Sequence, residues 1–166
     1  VLIDRKNKKY LFTVGKDGIL WKIDRKNGDF INLLETVNQN IYENIDYKTG
    51  ELSYREDILN SKIDKAFSVC PGIYGGHNWQ AISYDEITSS LIIPLHQLCA
   101  DMIGRKVERI EGSGGFGADS KSYPLPDANG KIGKLISVNI DKMKINWTHE
   151  QEAMFLTSSL STAGGL

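Results

Sequence analysis

The residues able to do chemistry in this 166-residue chain are few: two cysteines, Cys70 and Cys99, three histidines, and acids spread along its length. Neither cysteine has a partner at Cys-x-x-Cys spacing, so a zinc site of the usual pattern is not encoded. His77 lacks a metal-ligand partner at a recognisable spacing and reads as a packing or surface residue. Asp17, Asp101 and Asp119 stand at no spacing that makes any of them a candidate catalytic acid or base. Lys16 lies in Gly15-Lys16-Asp17-Gly18, where a lone lysine is ordinarily a solvated turn residue, and Asn78 and Trp79 are adjacent uncharged hydrogen-bond donors. Gly112-Ser113-Gly114-Gly115-Phe116-Gly117 fits Gly-x-Gly-x-x-Gly, but a dinucleotide site needs a helix to begin there, and Pro124 and Pro126 follow in a polar stretch. That motif is set aside.

The elements that must position these residues are strands. Residues 9–14 read as a strand, Gly15-Lys16-Asp17-Gly18 as a turn, and residues 19–24 as the returning strand of a hairpin. Arg25-Lys26-Asn27-Gly28 is a second turn, with Asp29-Phe30-Ile31-Asn32 after it, and strand-like runs return at residues 91–95 and 134–140. Residues 33–44 fit a helix or a strand equally well. In residues 54–67, Leu59, Ile63 and Phe67 fall at i, i+4 and i+8, which suits one short helix or an ordered excursion. Residues 112–130 carry many Gly, Ser, Asp and Pro and read as surface, within a long loop expected over 103–132. Twenty Lys and Arg against 21 Asp and Glu, a net charge of −1, exclude the electrostatic footprint of a nucleic-acid binder. No apolar run approaches the roughly 20 residues of a membrane span. Val1 at the start and Ala163-Gly164-Gly165-Leu166 at the stop suggest a piece of something longer.

A faint internal repeat runs through the chain. Asp24 to Gly28 and Asp46 to Gly50 share Asp-x-x-Asn/Thr-Gly, Asp85-Glu86-Ile87-Thr88-Ser89 is a weaker copy, and Asn139-Ile140-Asp141 opens a fourth that leads to Trp147. A short Asp side chain caps such a turn, and Gly takes its left-handed position. Ordinary hairpin turns share this grammar, but copies spaced by about 20 to 50 residues also suit four-stranded propeller blades.

Residues 69–85, with Cys70-Pro71, Gly75-Gly76, Asn78-Trp79 and Ser83-Tyr84, resemble the characteristic stretch of the PQQ-dependent quinoprotein alcohol dehydrogenases. Residues 10–28 look like the hairpin that carries that family's cofactor-binding Lys or Arg, followed by its Asp-Arg-x-x-Gly turn. Residues 91–102 look like the strand and second cysteine that come next, and residues 133–166 like a further blade running into Ser161-Thr162-Ala163-Gly164-Gly165-Leu166. The ordered set covers nearly the whole chain. The resemblance implies an all-β fold: a fragment of about two to three blades of an eight-bladed quinoprotein β-propeller. Residues 1–166 would then be a partial PQQ-binding propeller domain, with repeats near 9–50, 79–99 and 133–166.

That family binds pyrroloquinoline quinone (PQQ) in its central channel beside a calcium or lanthanide ion. It oxidises primary alcohols to aldehydes in the bacterial periplasm and passes electrons to a cytochrome c. By resemblance Lys16 is the cation set against the quinone, where it would stabilise the reduced anionic cofactor. Asn78 and Trp79 are the cofactor-facing donors, suited to holding a polycarboxylate without protonating it. Cys70 and Cys99 match the family's two flanking cysteines. Paired, they would stabilise the fold by about 3–4 kcal/mol and indicate an oxidising compartment; unpaired, they are two buried thiols. Gly75 and Gly76 let the backbone pass close to the cofactor or to a neighbouring blade. The family's Trp-Asp catalytic base, its metal ligands and the Trp stacked on the cofactor precede residue 10 in motif order, so this segment is expected to supply no catalytic base and no metal ligand. Where some relatives carry a Trp before Ser-Thr-Ala-Gly-Gly, this chain has Leu156. Asn146-Trp147-Thr148 is a formal glycosylation triplet, with Trp147 better read as a repeat residue packing between blades. Expected partners are the alcohol, a cytochrome c and the remaining blades. The alternative is a non-catalytic periplasmic propeller scaffold for protein binding, since fold does not fix function.

Overall fold

Short runs of alternating apolar residues between turn-forming residues make this an all-β molecule. The computed structural model describes residues 1–107, 111–112 and 117–164, and most of the Gly-x-Gly-x-x-Gly motif lies outside them. Strands β1 (Leu2–Arg5), β2 (Lys8–Val14), β3 (Ile19–Asp24) and β4 (Phe30–Glu35) form one antiparallel meander in sequence order. A second four-stranded sheet runs β13 (Lys144–Gln151), β12 (Gly133–Asn139), β9 (Ser90–His96), β8 (Ser83–Asp85). The expected repeats near 79–99 and 133–166 therefore join in a single sheet. Ile93 pairs with Ile136, and Leu91 with Val138.

The main core lies between these two sheets. Ile3, Phe12, Val14 and Leu20 come from the first, and Leu91, Ile93, Leu95, Ile136 and Val138 from the second; all are buried. Their two-residue spacing along β9 and β12 puts each set on one face. Lys22 crosses the same interface, buried, with Nζ donating to the Ile140 carbonyl at 2.8 Å and lying 4.5 Å from the Tyr10 ring centroid. Burial pushes its ammonium below the usual lysine range, and nearby Asp141 opposes that shift. On the rim, Arg5 and Lys6 both reach Asp141, at 3.1 and 3.2 Å.

The four suspected repeats are four copies of one hairpin turn. Asp24 and Asp46 accept from the amides of Lys26 and Lys48 at 2.8 and 2.7 Å. Asp85 and Asn139 accept from those of Ile87 and Asp141 at 3.0 and 3.1 Å. In each, the fifth residue is left-handed: Gly28, Gly50, Ser89 and Met143 have φ of 83°, 79°, 56° and 49°. The side-chain cap and the left-handed closure make the same turn even where glycine is missing.

Between the two four-stranded sheets, residues 33–44 form no helix: they run through the end of β4, an irregular stretch over 36–41, and the start of β5 (Tyr42–Ile45), which pairs with β6 (Leu52–Tyr54). Helix α1 (Glu56–Leu59) is a single turn with no buried residue, and Leu59 and Ile63 of the suspected apolar stripe are exposed. Phe67 belongs instead to β7 (Ala66–Val69). The loop expected over 103–132 is corrected. It contains β11 (Ala118–Pro124) and a 3-10 turn at Pro126–Ala128. Strands β9 and β10 (Leu98–Gly104) are separated by Gln97 alone, and β11 and β12 return beside them as one long ribbon. Strand β7 pairs on the other side of β10. Polar composition hid β11 because it is a mostly exposed edge strand held by ladder hydrogen bonds, not by an apolar face. Trp147 lies on edge strand β13 and is 46% exposed within this chain.

Candidate functional site

The β2–β3 turn is built by its own side chain. Asp17 accepts from the Ile19 amide at 3.1 Å, the Gly18 amide donates to the Gly15 carbonyl at 3.0 Å, and Gly18 adopts φ of 74°. This leaves Lys16 exposed at the tip, with Nζ donating to the Ile73 carbonyl at 2.8 Å. The rest of Asp17 is used by Tyr42, whose hydroxyl donates to it at 3.2 Å; burial first, and then the Asp17 charge, push that phenol well above its usual range. Asp101 accepts from the Ser68 hydroxyl at 2.5 Å, and Asp119 pairs with Arg105 at 2.7 Å. All three acids are engaged in structural contacts.

Cys70 follows β7, one residue past the last ladder pair, Val69 with Ala100, and lies beside Cys99 of β10. The two form a disulfide with Cα atoms 4.3 Å apart. From Cys70 the chain turns through Pro71 and Gly72, whose amide donates to the Leu98 carbonyl at 2.8 Å, and arrives at the Lys16 turn. There the Gly76 amide donates to the Lys16 carbonyl at 2.8 Å, and the Gly76 carbonyl accepts from the His96 amide at 2.8 Å. The two glycines are required by this approach. A Cβ on Gly75 would come 2.8 Å from Lys16 Cα and Cβ, and one on Gly76 would come 2.7 Å from Gly18 Cα and Val37 Cγ2.

Asn78 and Trp79 then project outward between two buried side chains. His77 is 5% exposed and donates from Nδ1 to the Pro94 carbonyl at 2.8 Å. Pro94 can sit in β9 because β8 ends opposite Ile92, so no partner needs the missing amide. Burial pushes His77 below its ordinary pKa, keeping the ring neutral, although the Pro94 carbonyl acts the other way. Gln80, 2% exposed, meets His96 Nε2 at 3.1 Å. Between these anchors Asn78 is exposed and Trp79 is 67% exposed. The structure thus joins the backbones of the Lys16 turn and the Asn78-Trp79 loop, and leaves a cation, an amide and an indole N–H accessible. An apolar groove of about 350 Å³ adjoins the turn, lined by Lys16 with Ile41, Ile58, Phe67, Val69 and Met102.

Gln80 and His96 escaped sequence reasoning. The one available signal was a histidine closing an otherwise apolar strand run at residues 91–96. Among the described residues, no three His, Cys, Asp or Glu side chains gather to hold a metal.

No protein-family model matches the chain. In sequence it is similar to quinohemoprotein alcohol dehydrogenase ADH-IIG of Pseudomonas putida, 29% identical over 99% of this chain and 24% of that protein. It is also similar to methanol dehydrogenase [cytochrome c] subunit 1 of Methylobacterium organophilum, 26% identical over 98% of this chain and 27% of the relative. Among solved structures, a europium-containing methanol dehydrogenase superposes with a TM-score of 0.87 at 20% identity, over 98% of this chain and 29% of its own. The chain thus spans about a quarter of the length of the curated relatives it matches. It resembles quinoprotein alcohol dehydrogenases throughout, and its fold is that of a section of their β-propeller.

Proposed function

We propose that this chain is a section of a PQQ-dependent alcohol dehydrogenase and supplies one edge of the PQQ site, not the catalytic base. The observation that carries the reading is the junction of the Lys16 turn with the Asn78-Trp79 loop through the Gly76 amide, 2.8 Å from the Lys16 carbonyl. The donor set suits the cofactor. PQQ is a polycarboxylated quinone, and Lys16 offers a cation while Asn78 and Trp79 offer neutral N–H donors. PQQ, when bound, would supply a two-electron acceptor for the hydride that a primary alcohol loses as it becomes an aldehyde. Lys16 holds positive charge against the quinone oxygens, where negative charge grows on reduction. Asn78 and Trp79 orient the cofactor without giving up a proton. A calcium or lanthanide ion and the base that takes the alcohol proton belong to residues outside this chain. A cytochrome c serves as electron acceptor, and the periplasm as location, which the Cys70–Cys99 disulfide supports.

The test is reconstitution of the full-length parent protein with PQQ and Ca²⁺ or a lanthanide, followed by dye-linked oxidation of primary alcohols. Lys16→Ala is expected to lower turnover at saturating cofactor by about tenfold or more. Unchanged PQQ affinity and turnover would remove the role given to Lys16. A parent protein that neither binds PQQ nor oxidises alcohols would be a binding scaffold.

A further inference from the structure

We infer that His96 is a positioning residue for Asn78 and Trp79, holding both flanks of that dipeptide and tying them to the segment around Phe155. The inference rests on the cofactor-edge reading above. The backbone amide of His96 donates to the Gly76 carbonyl at 2.8 Å, two residues before Asn78. Its ring meets the Gln80 amide at 3.1 Å, one residue after Trp79. One residue at the end of β9 therefore grips the loop on both sides of two exposed side chains, alongside the His77 anchor to the Pro94 carbonyl.

The ring chemistry is set by its third contact. His96 Nε2 lies 3.1 Å from the Phe155 carbonyl, and a carbonyl only accepts, so Nε2 carries the ring proton. The Gln80 amide faces the same nitrogen. With that amide turned end for end, Oε1 accepts from the shared Nε2–H and the amide nitrogen takes the place Oε1 leaves, while His96 Nδ1 has no partner among the described residues. His96 is 1% exposed, so these bonds form away from water, where losing one leaves a buried polar atom unpaired. The far end of the assembly is also fixed. Ser158 Oγ accepts from the Ala81 amide at 2.9 Å, and Ser159 Oγ from the Ser83 amide at 3.0 Å. The segment at 155–159 thus backs the loop through side-chain hydrogen bonds, and His96 joins it to the loop's exposed pair.

The role depends on the Nε2 position, which gives an atom-specific test in the full-length parent protein. A glutamine at 96 can place an N–H near the site of Nε2, whereas an asparagine is too short. Hydrogen exchange of the apo protein over residues 76–82 is expected to quicken about tenfold in His96→Asn and in Gln80→Met, the loss of one buried hydrogen bond, and to stay near wild type in His96→Gln. PQQ affinity, measured by equilibrium binding, is expected to fall by about the same factor in the first two variants and to be largely retained in the third. Exchange over 76–82 unchanged in His96→Asn and Gln80→Met would overturn the proposal. So would equally faster exchange throughout β9 and β12, which would mark a general structural role. Asn78→Ala and Trp79→Phe separate the two readings. If they leave PQQ affinity unchanged, the cofactor reading fails while exchange still decides the role of His96. If they weaken binding while the His96 and Gln80 variants do not alter exchange, the positioning role fails and the cofactor reading stands.

Discussion

The Gly76 amide donates to the Lys16 carbonyl at 2.8 Å, so the loop that presents Asn78 and Trp79 is continuous in hydrogen bonding with the turn that presents Lys16. Two segments 60 residues apart in sequence behave as one backbone unit because glycine allows the approach.

Gly76→Ala tests that closeness. The added Cβ would lie 2.7 Å from both Gly18 Cα and Val37 Cγ2, and backbone cannot yield as a flexible side-chain tip can. Stability should fall by about 1–3 kcal/mol, the usual cost of overpacking. Denaturant unfolding of the parent protein measures it, and a variant as stable as wild type would show that the two segments separate readily.

Removing the Cys70–Cys99 disulfide opens a loop of sequence separation 29. Replacing both residues by serine is expected to cost about 3–4 kcal/mol in the chain-entropy account. Unfolding curves with and without reductant should converge on the same loss for the native protein. A midpoint insensitive to reductant would contradict this.

His77 makes the loop acid-sensitive. Burial holds its pKa below the ordinary 6.5, so the unfolded chain takes up the proton more readily than the folded one. Its contribution to stability is complete above about pH 6.5 and is lost as pH falls from there through the depressed folded value. Melting temperature followed from about pH 7 to pH 5 should decline, and His77→Gln should flatten that decline. An identical slope in the variant would show that His77 stays neutral in both states or is charged in both.

Ser89 occupies the left-handed closing position that glycine fills at Gly28 and Gly50, with φ of 56°. Ser89→Gly relieves that conformation, offset in part by glycine's freedom in the unfolded chain, and should raise stability by about 0.5–1 kcal/mol. A lower melting temperature would mean that the buried serine side chain contributes more than its backbone costs.

The hairpins and their turns were legible in the amino-acid sequence because their causes are local. An Asp or Asn capping an amide two residues on, and a left-handed fifth residue, act within five positions, and the two-residue apolar period shows in β2, β9 and β12. The order of Lys16, Cys70, Asn78-Trp79 and Cys99 was likewise readable as a family pattern. Everything decided by partners distant in sequence was not. Strand β11 exists because β10 lies beside it, although its composition reads as loop. The stripe of Leu59, Ile63 and Phe67 has helical spacing, yet Leu59 and Ile63 lie exposed and Phe67 belongs to β7. His96 and Gln80 carry no local mark of their role, since a polar side chain is distinguished as an anchor only once burial removes water and leaves it protein partners alone. Turns are set by hydrogen bonds a few residues long, whereas the site is set by which strands meet, and only the packed tertiary structure determines that.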